Sequence, residues 1–240
     1  EQKKIESDLE VREQFISEIE QYLNKEEFDE LEKIADELTK GKSRFPGGDC
    51  KIDRFYEAIQ PSTGYETVKV DWPERIAKLK KWTAQKPKSV YANIALGCAQ
   101  IGNAWDIRGS GLVDTVSHKQ MADFMEMLKQ AETTLNKISE KRKDCPHWYR
   151  DMQQVGLGLG YDLATMTKYF EEVTALEPLY WSAYEGHAVY LLPRWHGHPG
   201  DWEHFAEAAS NKIGGAEGDI LYSEIAWRIS RYYDADQFFK

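Results

Sequence analysis

The sequence predicts an all-α protein made of antiparallel helix pairs stacked side by side, and three observations carry that prediction. Apolar residues recur at steps of three and four along most of the chain, the period of a one-sided helix. Turn clusters such as Phe45-Pro-Gly-Gly-Asp and Gly214-Gly215 punctuate the periodic runs. The pattern Thr-Ala-x-x-Pro-x-x-x-x-Ala occurs twice at one spacing, over Thr83 to Ala92 and Thr174 to Ala183. In both copies a proline resets the chain at a turn, and the alanines are expected to let successive helices approach closely.

A helical hairpin is expected over residues 1–41. Ile5, Leu9, Ile16, Ile19 and Leu23 line one face of its first helix. Phe28, Leu31, Ala35 and Leu38 line its second, which Gly41 is placed to end. Residues 42–72 read as an irregular connector, with a short helix at Ile52 to Ile59 and an extended stretch at Tyr65 to Val70. Stacked helix pairs follow over 73–240, so that the whole chain is expected to form a single helical domain. Pro73 and Glu74 favour a first helical turn, and the helix runs on through Ile76, Leu79 and Trp82. Ser117 and Gln120 form a capping box ahead of the most regular stripe: Met121, Phe124, Leu128, Ala131, Leu135 and Ile138.

A weaker junction lies at Asp144-Cys-Pro146-His-Trp. The helix after it, Tyr149 to about Tyr161, carries Gly156, Gly158 and Gly160, which predict close packing or a break. Met166 to Leu176 pairs with Pro178 to Tyr190. Trp202 to Ile213 pairs with a last helix expected at Asp219 to Tyr233, with Asp219 as its cap.

The totals exclude several function classes. A formal charge of −10 argues against nucleic acid or an anionic membrane as partner, because both require a basic face. No apolar run is long enough to span a bilayer, so no membrane insertion is expected. Three scattered cysteines, Cys50, Cys98 and Cys145, form neither a disulfide framework nor a zinc cluster, and Cys98 in an apolar run reads as a small buried hydrophobe. Gly156-Leu-Gly-Leu-Gly160 is not a dinucleotide fingerprint, and Ser110 lacks the strand that a nucleophile elbow requires. No cofactor is expected.

The helix-pair spacing and the alanine and proline junctions resemble the tetratricopeptide-repeat superfamily. Ala104-Trp-Asp-Ile-Arg-Gly-Ser-Gly111 and Leu192-Pro-Arg-Trp-His-Gly-His198, the latter followed by Phe205-Ala206, resemble an uncharacterised bacterial helical family with tetratricopeptide-like pairs. That family carries no assigned activity, so the resemblance implies a stacked-helix solenoid and says little of function. The Trp-Leu-Gly-Tyr pattern of a full tetratricopeptide unit is absent here. The chain starts at Glu1, read as the product of a removed leader or tag; exported members of such families point to an exported or periplasmic location, with a cytoplasmic one as the alternative.

Residues 178–205 hold four of the six histidines and three of the eight tryptophans, so the search for a site centres there. The leading expectation is a non-catalytic module that takes a protein or peptide, mildly favouring a basic one. Trp105, Arg108, Tyr184, Arg194 and Trp195 would line its groove. Guanidinium groups beside indoles either clamp helix junctions or recognise an anionic group, and surplus aromatics suit a peptide ligand. The alternative is a metal-dependent hydrolase centred on His196-Gly-His198, with His204 and Asp201 completing the ligand set. Mid-helix His187 stands near the same loop.

Overall fold

The computed structural model describes residues 7–60, 70–111, 113–138 and 143–233. Among them the chain is helical throughout, with eleven α-helices and no strand beyond one antiparallel bridge between Arg44 and Cys50. None of these helices is long and apolar enough to cross a membrane. The chain divides into two compact units, residues 1–155 and 156–240.

The first unit opens with α1 (Asp8–Asn24) and α2 (Phe28–Gly41). Ser7 and Glu10 close a capping box on α1. The expected stripe Phe28, Leu31, Ala35 and Leu38 is the buried face of α2. The left-handed residue that ends α2 is Lys42, at φ 48°, one position after the expected glycine.

The stretch read as connector contains α3 (Lys51–Ile59), which buries Ile52, Phe55, Tyr56, Ala58 and Ile59 and packs on α1, α2 and α5. Such a short helix is marginal alone, so its stability comes from that packing. Arg75 donates to the carbonyls of Ala58 and Ile59 at 2.7 and 3.0 Å, satisfying the end of α3. Asp49 in the loop before α3 pairs with both Arg12 and Arg54. The extended stretch expected at Tyr65 to Val70 lies, except for Val70, outside the described residues.

α4 (Trp72–Gln85) is capped by Asp71, and α5 (Val90–Arg108) by Ser89. Trp82 stacks on Phe28 at 5.8 Å and donates to Glu32 at 2.8 Å, which satisfies its indole in full burial. Gly102 on α5 allows a very close approach, since a Cβ there would stand 2.3 Å from the Trp72 ring and 2.7 Å from Gln60. A 3₁₀ turn, Val113–Thr115, leads to α6 (His118–Asn136), which carries the expected box of Ser117 and Gln120. α6 packs along α5, and α7 (Pro146–Leu159) starts at the junction proline, three residues before the expected Tyr149.

The second unit holds the end of α7, α8 (Leu163–Leu176), α9 (Trp181–Tyr190), α10 (Asp201–Ile213) and α11 (Gly215–Ser230). Its core gathers Met166, Trp181, Tyr184, Ala188, Trp202, Ala206, Leu221, Ile225 and Ile229. The glycines of α7 give both expected outcomes. A Cβ at Gly156 would stand 2.6 Å from the Met166 sulfur, whereas Gly160, at φ +75°, follows the helix end. α11 begins at Gly215, so Asp219 lies inside the helix rather than capping it.

The two junction copies behave alike. Ala92 and Ala183 are fully buried as expected, but Ala84 and Ala175 face solvent, and Trp82 and Val173 two residues earlier take the buried place.

Candidate functional site

The densest gathering of chemically capable side chains among the described residues is buried in the first unit, around His147. Pro146 opens α7, placing His147 in its first turn and Asp151 one turn later on the same face. Cys98 comes from the middle of α5, and Asp53 and Tyr56 come from α3. The imidazole stacks on the Tyr56 ring with centroids 4.3 Å apart. Its Nδ1 lies 3.1 Å from Asp53 Oδ1. Its Nε2 lies 3.4 Å from Asp151 Oδ1 and 3.7 Å from the Cys98 sulfur.

Around this centre, Cys98 donates to Gln60 Oε1 at 3.0 Å, and Arg150 Nη1 approaches both Gln60 Oε1 and Asp151 Oδ1 at 3.5 Å. Asp151 is fully buried, and neither of its oxygens accepts a hydrogen bond.

Burial alone would push the pKa of His147 down, but the Asp151 and Asp53 carboxylates more than reverse that, so it is raised. Burial works the other way on Asp53, yet the bond to His147 and the charges of His147, Arg150 and Arg54 hold its carboxyl well below the usual range. Burial, and then the Asp151 charge, push the Cys98 thiol well up. The cluster therefore favours a charged imidazole between two carboxylates beside a neutral thiol. A neutral thiol is a poor nucleophile.

The residues singled out for a groove are placed as follows. Arg108 is buried at the end of α5, donates to the carbonyls of Gly109 and Gly111 at 3.0 Å each, and lies over the Trp105 ring. Trp105 meets Phe124 edge-on at 4.9 Å. Tyr184 is buried in the second unit, and its hydroxyl donates to the carbonyl of Pro178 at 2.8 Å. Arg194 is exposed over the Tyr232 ring at 5.4 Å, and Trp195 is half-buried against the second core. Arg108 and Tyr184 thus serve the interior of their own units, while Arg194 keeps open surface.

In the histidine loop, His198 is 86% exposed and bonds to Asp201 through its backbone N–H at 2.7 Å and its Nδ1 at 3.3 Å. His196 instead stacks on Tyr190 and turns Nε2 towards the carbonyl of Leu157. His204 approaches Gly200, the residue before α10. Among the described residues, the group whose ligand atoms converge is Cys98, His147 and Asp151, and not this loop. His187 is buried against Phe170 and Phe205.

Sequence reasoning missed the buried cluster. One signal was available, His147 and Asp151 at helical spacing, but nothing local links them to Cys98 or Asp53. No family model, curated protein or solved structure matches the chain.

Proposed function

We propose that the chain is a tetratricopeptide-like helical module that takes a protein or peptide partner and performs no catalytic step. The supporting observation is the outer face of α11. Ile220 and Trp227, two turns apart on one side, are 43% and 64% exposed. Gly218, Leu221, Ile225 and Ile229 on the opposite side are buried. Large apolar side chains exposed on one side of a helix whose other side is already packed offer a surface that a partner can cover. A tryptophan exposed there is the residue type that most often anchors a protein interface.

Packing between sequence neighbours, α8 with α9 and α10 with α11, supports the stacked-pair reading. Arg194 and Trp195 in the same unit remain candidates for contact with the partner. The acidic balance of the chain suits a partner helix with an apolar stripe and basic flanks.

The test places a photo-crosslinking side chain at position 227 and, as a control, at exposed Lys119 in the source cells. A discrete adduct at 227 that is absent at 119 supports the module. Indistinguishable adduct patterns at the two positions end the reading.

A further inference from the structure

We propose that Cys98, His147 and Asp151 form a closed site for a divalent metal ion of the zinc type, with Asp53 fixing the histidine that binds it. The proposal is independent of the partner face on α11, which belongs to the other unit. The three potential ligand atoms all lie within 4.8 Å of one another. Sulfur to Nε2 is 3.7 Å, and Nε2 to Asp151 Oδ1 is 3.4 Å. A tetrahedral zinc with ordinary bond lengths sets its sulfur, nitrogen and oxygen ligands roughly 3.4–3.6 Å apart. Two of the three pairs already stand close to that spacing, and the third, sulfur to Asp151, lies within 4.8 Å.

Two further observations point to a ligand rather than to polar packing alone. Asp151 is 0% exposed, and neither of its oxygens accepts a hydrogen bond. Its neighbouring cations, His147 Nε2 at 3.4 Å and Arg150 Nη1 at 3.5 Å, lie at ion-pair distance only. A carboxylate buried this way is costly unless something binds it directly. The second observation is the bond between His147 Nδ1 and Asp53, at 3.1 Å. It fixes the tautomer that turns Nε2 to the ligand side, which is how carboxylates orient metal-binding histidines.

The ligand set also fits by charge and by type. A Cys98 thiolate with Asp53 and Asp151 carries three negative charges, and a divalent ion with Arg150 supplies three positive ones. One sulfur, one imidazole and one carboxylate suit zinc better than magnesium or calcium. Gln60 Oε1, 3.0 Å from the Cys98 sulfur, is the neighbouring oxygen for a fourth position. Full burial of the three ligands makes this a structural site rather than one open to substrate. Binding releases the thiol proton of Cys98 and the Nε2 proton of His147, while the Nδ1 proton stays on the bond to Asp53.

The test uses the 240-residue chain, stripped with a chelator and titrated anaerobically with cobalt(II). One equivalent should bind and give a thiolate-to-cobalt charge-transfer band. Zinc should displace the cobalt and raise the melting temperature. Cys98→Ser should abolish the band, Cys145→Ser should keep it, and Asp53→Asn should weaken binding about 10–100-fold. Wild-type protein that gives no band, or whose melting temperature zinc leaves unchanged, overturns the site regardless of how the variants fold. A band that survives in Cys98→Ser overturns it as well.

Discussion

Each unit buries a histidine almost completely, and the two are held in opposite ways. His147 in the first unit is 2% exposed, His187 in the second 5%. Carboxylates bracket His147 on both ring nitrogens, and its pKa rises despite burial. His187 stacks on Phe170 with centroids 4.9 Å apart and touches Phe205 and Tyr190. Its Nδ1 has no hydrogen-bond partner, and burial lowers its pKa to about 4. Burial alone therefore does not mark a chemical site. His187 behaves as an aromatic filler, whereas His147 sits in a polar arrangement that needs charge to hold it together.

The strongest way to break this contrast is to remove the carboxylate. Asp151→Ala leaves His147 buried without that partner, beside a part-buried Arg150, and should cost about 3–5 kcal/mol in urea unfolding of the first unit. His147→Phe should be comparably damaging because it strands Asp53 and Asp151. His187→Phe at pH 7 should change stability by less than about 1.5 kcal/mol, as a swap among apolar-packed rings.

The next effect is pH dependence in the second unit. Because the folded pKa of His187 lies below its unfolded value, the unfolded chain binds the extra proton more readily. The stabilisation is complete above about pH 6.5 and is lost as pH falls towards about 4. The loss should reach roughly 2–4 kcal/mol across that window, and His187→Phe should flatten it. A pH profile unchanged in that variant would break the contrast between the two histidines.

Smaller effects sharpen it. Ser117 accepts from the Gln120 N–H in the first unit, and Asp162 from the Thr165 N–H in the second. Ser117→Ala and Asp162→Ala should each cost about 1 kcal/mol, read as faster amide exchange at Gln120 and Thr165. Trp227→Glu on the outer face of α11 should stay within about 0.5 kcal/mol of wild type in thermal unfolding, so any loss of partner crosslinking there reports binding.

Much of the fold was legible because local signals agreed with the packing. The capping box at Ser117 and the stripe from Phe124 to Leu135 specify α6 without reference to any other element. α3 was legible as a short helix at Ile52 to Ile59, but its packing on α1 and α5 was not, because both are distant in sequence. Gly214 and Gly215 read as a pure break, yet Gly214 at φ +74° ends one helix as the next begins. The apolar sequence around Cys98 correctly announces burial but hides that its sulfur meets Gln60 and His147. Asp53 stands 94 residues from His147, and no local period connects such a pair. Arg108 and Tyr184 were distinctive by type, but their bonds to nearby carbonyls emerge only once the turns are folded.

The three cysteines form no disulfide, and all are buried in the first unit. Burial raises the thiol of Cys145 to about 11 and pushes that of Cys98 well up. A disulfide reagent added to the native protein therefore has little thiolate to attack at Cys98 or Cys145 until that unit opens. The rate of modification then measures the free energy of opening for residues 1–155, with residues 156–240 silent in the assay. The chain thus carries a built-in kinetic probe that separates the breathing of one half from the other without any label.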